Sequence, residues 1–210
     1  MRPWLRRNRW GLVLVLPLVV VALLASSSRL LVYWWDPGFH EGATAGADGV
    51  VSFAGEYDDG FQQYPVEADL RLDGVTKVDA VTGGARPGPV TVPDGAQLWR
   101  VDLHVEADPD IALGGCNLAL VDDAGTRWVS STLSAYTTAE VGTFPCVPTD
   151  AIGPRPVIGV KGAKPEVPAG EPERPPAYDT QAYVLTPDDA RPTAVRMWWI
   201  LPAYAELPID

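Results

Sequence analysis

The sequence predicts an all-β fold, an antiparallel β-sandwich preceded by one N-terminal transmembrane helix. Three observations predict it. The run from Gly11 to Ala25 carries no charge. Several segments after residue 50 alternate apolar and polar side chains, the period of a strand with one wet face. Prolines at 65, 87, 89, 93, 145, 148, 154 and 156 interrupt the chain too often for long helices, since proline removes a backbone donor and clashes with the preceding turn.

The chain divides into a basic segment (1–10), a membrane segment (11–33), a juxtamembrane segment with a flexible tether (34–49) and a β-domain (50–210). Arg2, Arg6, Arg7 and Arg9 precede the apolar run, and Arg29 lies near its far end. Counted through the serines 26–28 the run spans about 27 Å of helix, close to the hydrocarbon thickness of about 30 Å. Extension to Tyr33 is feasible because an arginine near a helix end lifts its charge to the headgroups. Trp10 then marks one interface, and Tyr33, Trp34 and Trp35 the other, where amphipathic rings belong. An arginine-rich start with small residues such as Ala25 and Ser27 also describes a cleavable signal. The resumption of the pattern as "LLVYWW" and the lack of a clear A-x-A site favour a signal anchor. No cysteine follows the run for lipid attachment. The arginine bias predicts a cytoplasmic N-terminus and an extracytoplasmic C-terminal domain at the plasma membrane.

"DPGFHEGATAGADG" (36–49) is rich in Gly and Ala without apolar periodicity, which predicts a tether. "VVSFAGEY" suggests a short strand. "VEADLRL" puts Val66, Ala68, Leu70 and Leu72 on one face, and "LWRVDLHVEA" puts Trp99, Val101, Leu103 and Val105 opposite Arg100, Asp102, His104 and Glu106. "CNLALVDDAGTRWVSS" reads as a hairpin around "DDAG". "DTQAYVLTP" and "TAVRMWWIL" complete the strands. Residues 161–177 hold five prolines and three glutamates and predict a long mobile loop with almost nothing to bury.

The order of these features resembles the immunoglobulin-like exported domains of actinobacterial single-pass membrane proteins: one anchor, a loose tether, a strand like "LWRVDLHVEA", a D-x-G hairpin and a late strand pair joined by "TPDDARP". The resemblance covers residues 66–201 and implies an immunoglobulin-like sandwich. It carries over no functional residues. Cys116, Trp128 and Cys146 are too closely spaced for the usual intersheet bridge of that fold.

Charge narrows the partners. All 27 acids and 11 of the 16 basic residues lie beyond residue 35, a net charge of −16 for that part. Such a surface repels a phosphate backbone, so nucleic acid is not an expected partner. Anionic headgroups should repel it too, with the tether holding the domain off the membrane and leaving a protein partner in the envelope. The two cysteines, Cys116 and Cys146, are expected to form a disulfide in an exported domain.

Catalytic signals are sparse. A G-x-S-x-G elbow is absent, and His104 reads as a solvated histidine. Asp58 with Asp59, Asp122 with Asp123 and Asp188 with Asp189 sit beside Gly or Pro, where aspartate makes turns; calcium binding or carboxylate catalysis is the alternative. The cysteines and histidines lack zinc spacing, and copper would need His40, His104 and Met197 together. No cofactor is expected. In "MWWILP", Trp198 and Trp199 should point to opposite faces of a strand, so that one is core and the other packs under a loop, or one of them lies on an exposed apolar patch as the candidate partner contact. The expected function is a non-catalytic binding or accessory module, with an envelope-acting enzyme or a calcium or small-ligand sensor as the alternatives.

Overall fold

The computed structural model describes residues 2–35, 37–58, 62–82, 87–130, 144–157 and 159–209. Helix α1 (Arg2–Arg7) leads into α2 (Arg9–Leu30), and a wider π turn (Leu31–Trp35) continues it. The 22 residues of α2 span about 33 Å. Its described apolar side chains, from Val13 to Leu24, are exposed, and Pro17 lies within it. This is a helix long and apolar enough to cross a membrane.

Eleven strands follow among the described residues: β1 (Glu41–Thr44), β2 (Val50–Asp58), β3 (Gln63–Val78), β4 (Ala80–Val81), β5 (Gly88–Pro89), β6 (Ala96–Glu106), β7 (Asn117–Val121), β8 (Arg127–Val129), β9 (Ala177–Pro187), β10 (Ala194–Trp198) and β11 (Ala203–Pro208). They form two sheets and a small β4–β5 ribbon. Sheet I has the order β1-β11-β10-β7-β8, and sheet II the order β2-β3-β6-β9. Every pairing is antiparallel except β1 with β11, which is parallel.

Period-two patterning does what it should. Val51, Leu70 and Val101 from sheet II share one core cluster with Leu118, Met197 and Leu207 from sheet I, all essentially without exposure. Each such side chain contributes about 1.5–3 kcal/mol on leaving water. The disulfide between Cys116 and Cys146 lies inside this cluster, with a Cα–Cα distance of 6.2 Å. It ties the start of β7 to the segment before Val147.

Several expectations are corrected. Residues 41–44 of the expected tether form β1, because their backbone groups find partners along β11. The strand expected over "TAVRMWWIL" ends at Trp198, and residues 199–202 turn the chain into β11. The strands flanking "TPDDARP" do not pair: β9 binds β6 in sheet II, and β10 lies between β7 and β11 in sheet I. The proline-rich segment also buries something. Arg174 is 1% exposed, and its Nη2 donates to the carbonyls of Asp108 and Ile111 at 2.7 and 2.8 Å. Gln62 and Gly162 hold the same segment to the start of β3. These two bonds offset only part of the cost of burying the guanidinium, because its Nε and Nη1 are also buried and have no hydrogen-bond partner among the described residues.

Candidate functional site at the junction of helix and domain

Between Trp35 and Glu41 the chain has five residues. Among the described residues, 37–40 are held by specific contacts rather than loose. The Gly38 amide donates to the Trp35 carbonyl at 2.9 Å, and the His40 ring stacks on Trp35 at 4.3 Å between centroids. The His40 and Glu41 amides both donate to the Pro202 carbonyl, at 3.3 and 3.1 Å. The turn from β10 to β11 therefore sits against the point where the chain leaves the N-terminal helix.

Phe39 is the clasp of this junction. Strand alternation places Arg196 and Trp198 on the outer face of β10, with Tyr204 and Glu206 on the same face of β11. Phe39 meets Trp198 and Tyr204 edge-on, each at 5.0 Å. The guanidiniums of Arg127 and Arg196 lie 4.8 and 5.4 Å from its ring centre. Arg196 also pairs with Glu206 at 2.6 Å and lies over Tyr204. Edge-on aromatic pairs contribute about 0.5–1.5 kcal/mol each, and exposed cation–π contacts about 0.5–1 kcal/mol. Ala119, opposite Arg196, is fully buried although it lies outside the core cluster. The stack above shields it.

The two candidate tryptophans thus separate. Trp198 is half-buried against Phe39. Trp199 is 6% exposed, stacks on Phe53 at 4.9 Å and donates Nε1 to the Leu113 carbonyl at 2.7 Å. It is a core residue, so it is removed from the candidate contact surface. The residue that sequence reading missed is Phe39, a lone aromatic in a stretch otherwise built of Gly, Ala and polar residues.

The outer face of sheet II is the second candidate surface. Arg71 lies opposite His104, and His104 opposite Asp179. A bulge between Leu72 and Gly74 displaces Asp73 from the register, re-aiming its side chain. His104 Nδ1 lies 2.6 Å from Asp179, and its Nε2 3.5 Å from Glu106. His104 is therefore half-buried between carboxylates rather than freely solvated. Asp73, His104 and Asp179 each bring one ligand atom within 4.8 Å of the others. Arg71 competes for Asp73 at 2.9 Å, and that hydrogen bond, followed by the Asp73 charge, raises its pKa. At the end of this face Glu67, Asp69, Glu106 and Asp108 rim an open groove of about 320 Å³.

The other expected sites stay apart. His40 is at the junction, His104 on the outer face of sheet II and Met197 in the core, so no copper site forms from them. Asp122 accepts the Thr126 amide at 2.7 Å in the turn to β8, where Gly125 takes a φ of 81°; this is turn formation. Asp59 lies outside the described residues. Burial pushes the Tyr178 hydroxyl up to about 12, partly opposed by Arg174. That hydroxyl donates to the Cys146 carbonyl at 2.8 Å. No protein-family model, curated protein or solved structure matches the chain.

Proposed function

We propose that this is a single-pass plasma-membrane protein with a cytoplasmic N-terminus. Its extracytoplasmic immunoglobulin-like β-sandwich serves as a non-catalytic binding or accessory module of an envelope or membrane protein complex. The observation that carries the reading is the junction: five residues, clasped by Phe39, join a helix of membrane-spanning length to a disulfide-linked β-domain. A domain joined in this way presents chosen faces instead of sweeping a volume. The disulfide supports an oxidising compartment.

Strand order supports the finer fold reading. With β3, β6 and β9 as strands A, B and E, and β7, β10 and β11 as C, F and G, the sheets run A-B-E and C-F-G. The bridge departs from that pattern, since it joins the start of C to the segment ahead of E instead of B to F. Phe39 occupies the outer face of sheet I, which leaves the acidic outer face of sheet II for a partner with a basic surface. Its groove is open, which favours recognition over carboxylate catalysis in an enclosed cleft. The grouping of Asp73, His104 and Asp179 favours a second reading, a sensor for a divalent cation. A thermal midpoint raised by the cation and restored by a chelator would support that role.

The test uses photo-crosslinking residues placed at Glu67, on the face of sheet II, and at Asp189, in the turn between β9 and β10, in native membranes. One discrete protein adduct from Glu67 and none from Asp189 is expected. Failure to form an adduct from Glu67, or removal of neither site by protease added outside intact spheroplasts, overturns the proposal.

A further inference from the structure

The segment from Met197 to Ala205 contains nine consecutive uncharged residues in a strongly acidic domain. Its strand part is explained by the core and by Phe39. Its turn is not: Ile200 is 42% exposed, and Leu201 and Pro202 are half-buried. We propose that this turn, with Ile200 at its tip, rests in the headgroup layer of the phospholipid bilayer crossed by α2. The domain is thereby docked on its own membrane through a second, non-covalent contact.

The argument is one of distance along the chain, and it rests on the reading that α2 spans the membrane. Trp10 and Trp35 are 25 residues apart in a continuous helical path, or about 37 Å. Centred on a hydrocarbon core of about 30 Å, this puts Trp35 about 3–4 Å beyond the apolar boundary, inside a headgroup layer roughly 5–7 Å thick. From Trp35 the path to the turn is short. The His40 ring stacks on Trp35 at 4.3 Å, and the His40 amide is bonded to the Pro202 carbonyl. The turn has no carboxylate between Met197 and Ala205 to repel headgroups. Carboxylates do flank it: the exposed Glu41 donates its amide to the Pro202 carbonyl, and the acidic groove of sheet II is lined by Phe53, which stacks on Trp199, so the contact rests on the aliphatic tip and its closeness to the helix rather than on charge. An exposed aliphatic tip beside an interfacial tryptophan fits the boundary between headgroups and acyl chains, where amphipathic surfaces bury about 5–10 Å deep. This reverses the expectation that a long tether keeps the acidic domain off the membrane.

The test uses the full-length chain, one per phospholipid nanodisc, with Cys116 and Cys146 oxidised so that only an added cysteine reacts. Ile200→Cys, Asp189→Cys and Val20→Cys are each labelled with an environment-sensitive fluorophore and quenched by lipids carrying a shallow nitroxide or by a deep one. Asp189 is exposed at the opposite end of β10 and serves as the water reference. Shallow quenching at position 200 at least two-fold above that at 189, with deep quenching at position 20, is the expected result. Equal quenching at 200 and 189 with position 20 quenched by the deep lipid overturns docking alone. Loss of quenching at position 20 overturns the spanning reading and docking together.

Discussion

Replacing Trp199 by alanine tests whether the tryptophan pair is divided between core and surface as the packing requires. Trp199 is nearly fully buried, stacks on Phe53 and satisfies the Leu113 carbonyl. Truncating a buried aromatic of this size costs about 3–5 kcal/mol, and the orphaned carbonyl puts the loss toward the upper end. Trp198 is half-buried and makes one edge-on pair with Phe39, so Trp198→Ala should cost about 1–2 kcal/mol. Trp199→Phe keeps most of the ring and loses the donor, for about 1–2 kcal/mol. The assay is urea unfolding of the full-length, oxidised chain in mild detergent, followed by near-ultraviolet circular dichroism. For a domain of this size the Trp199→Ala loss corresponds to a fall in Tm of about 6–20 °C. A Trp199→Ala loss below about 1.5 kcal/mol, or a Trp198→Ala loss as large as that of Trp199→Ala, would refute the assignment of core and surface.

Stability should fall at alkaline pH through Tyr178. Its folded pKa is raised to about 12, so below the ordinary value near 10 both states are protonated and its stabilisation is complete. As pH rises from about 10 to 12 the unfolded chain releases the proton first, and roughly 2–3 kcal/mol is lost. Tyr178→Phe should flatten that part of a urea-midpoint profile; a profile with the parent's slope would contradict the assignment. Reducing Cys116–Cys146, which are 30 residues apart, should cost about 3–4 kcal/mol in the chain-entropy model. Thiol labelling without reductant should modify neither cysteine, and modification of both would exclude the bridge.

How much of this was legible follows from which contacts are local. Val66, Leu70, Val101 and Val105 declare their strands because alternation is a property of the segment itself. Strand β1 has no such mark. "EGAT" carries no apolar pattern, and it is a strand because β11 lies beside it, some 160 residues away in sequence. Strand β11 did alternate, with Ala203, Ala205 and Leu207 against Tyr204 and Glu206. It was hidden behind "MWWIL", whose unbroken apolar run reads as strand through Leu201. Arg174 was equally hidden: a proline- and glutamate-rich context describes solvent, and only the carbonyls of Asp108 and Ile111 call for its donors.

The docking proposal and the bulk charge point in opposite directions, and chain slack decides between them. A net charge of −16 beyond residue 35 predicts repulsion from the membrane only if the domain is free to retreat, and that depends on slack in the chain. Screening confines such repulsion to about 8 Å at physiological ionic strength. The junction has only five residues, and within it Phe39 is gripped by Trp198, Tyr204 and two arginines, which limits slack. The sequence did hold one clue, an aromatic in a stretch otherwise suited to a tether. A phenylalanine in a solvated linker has nothing to gain, so its presence there asks for a surface, and the outer face of β10 and β11 supplies it. On the proposal that α2 spans the membrane, the covalent link and the clasp together put the turn between β10 and β11 at the membrane end of the domain.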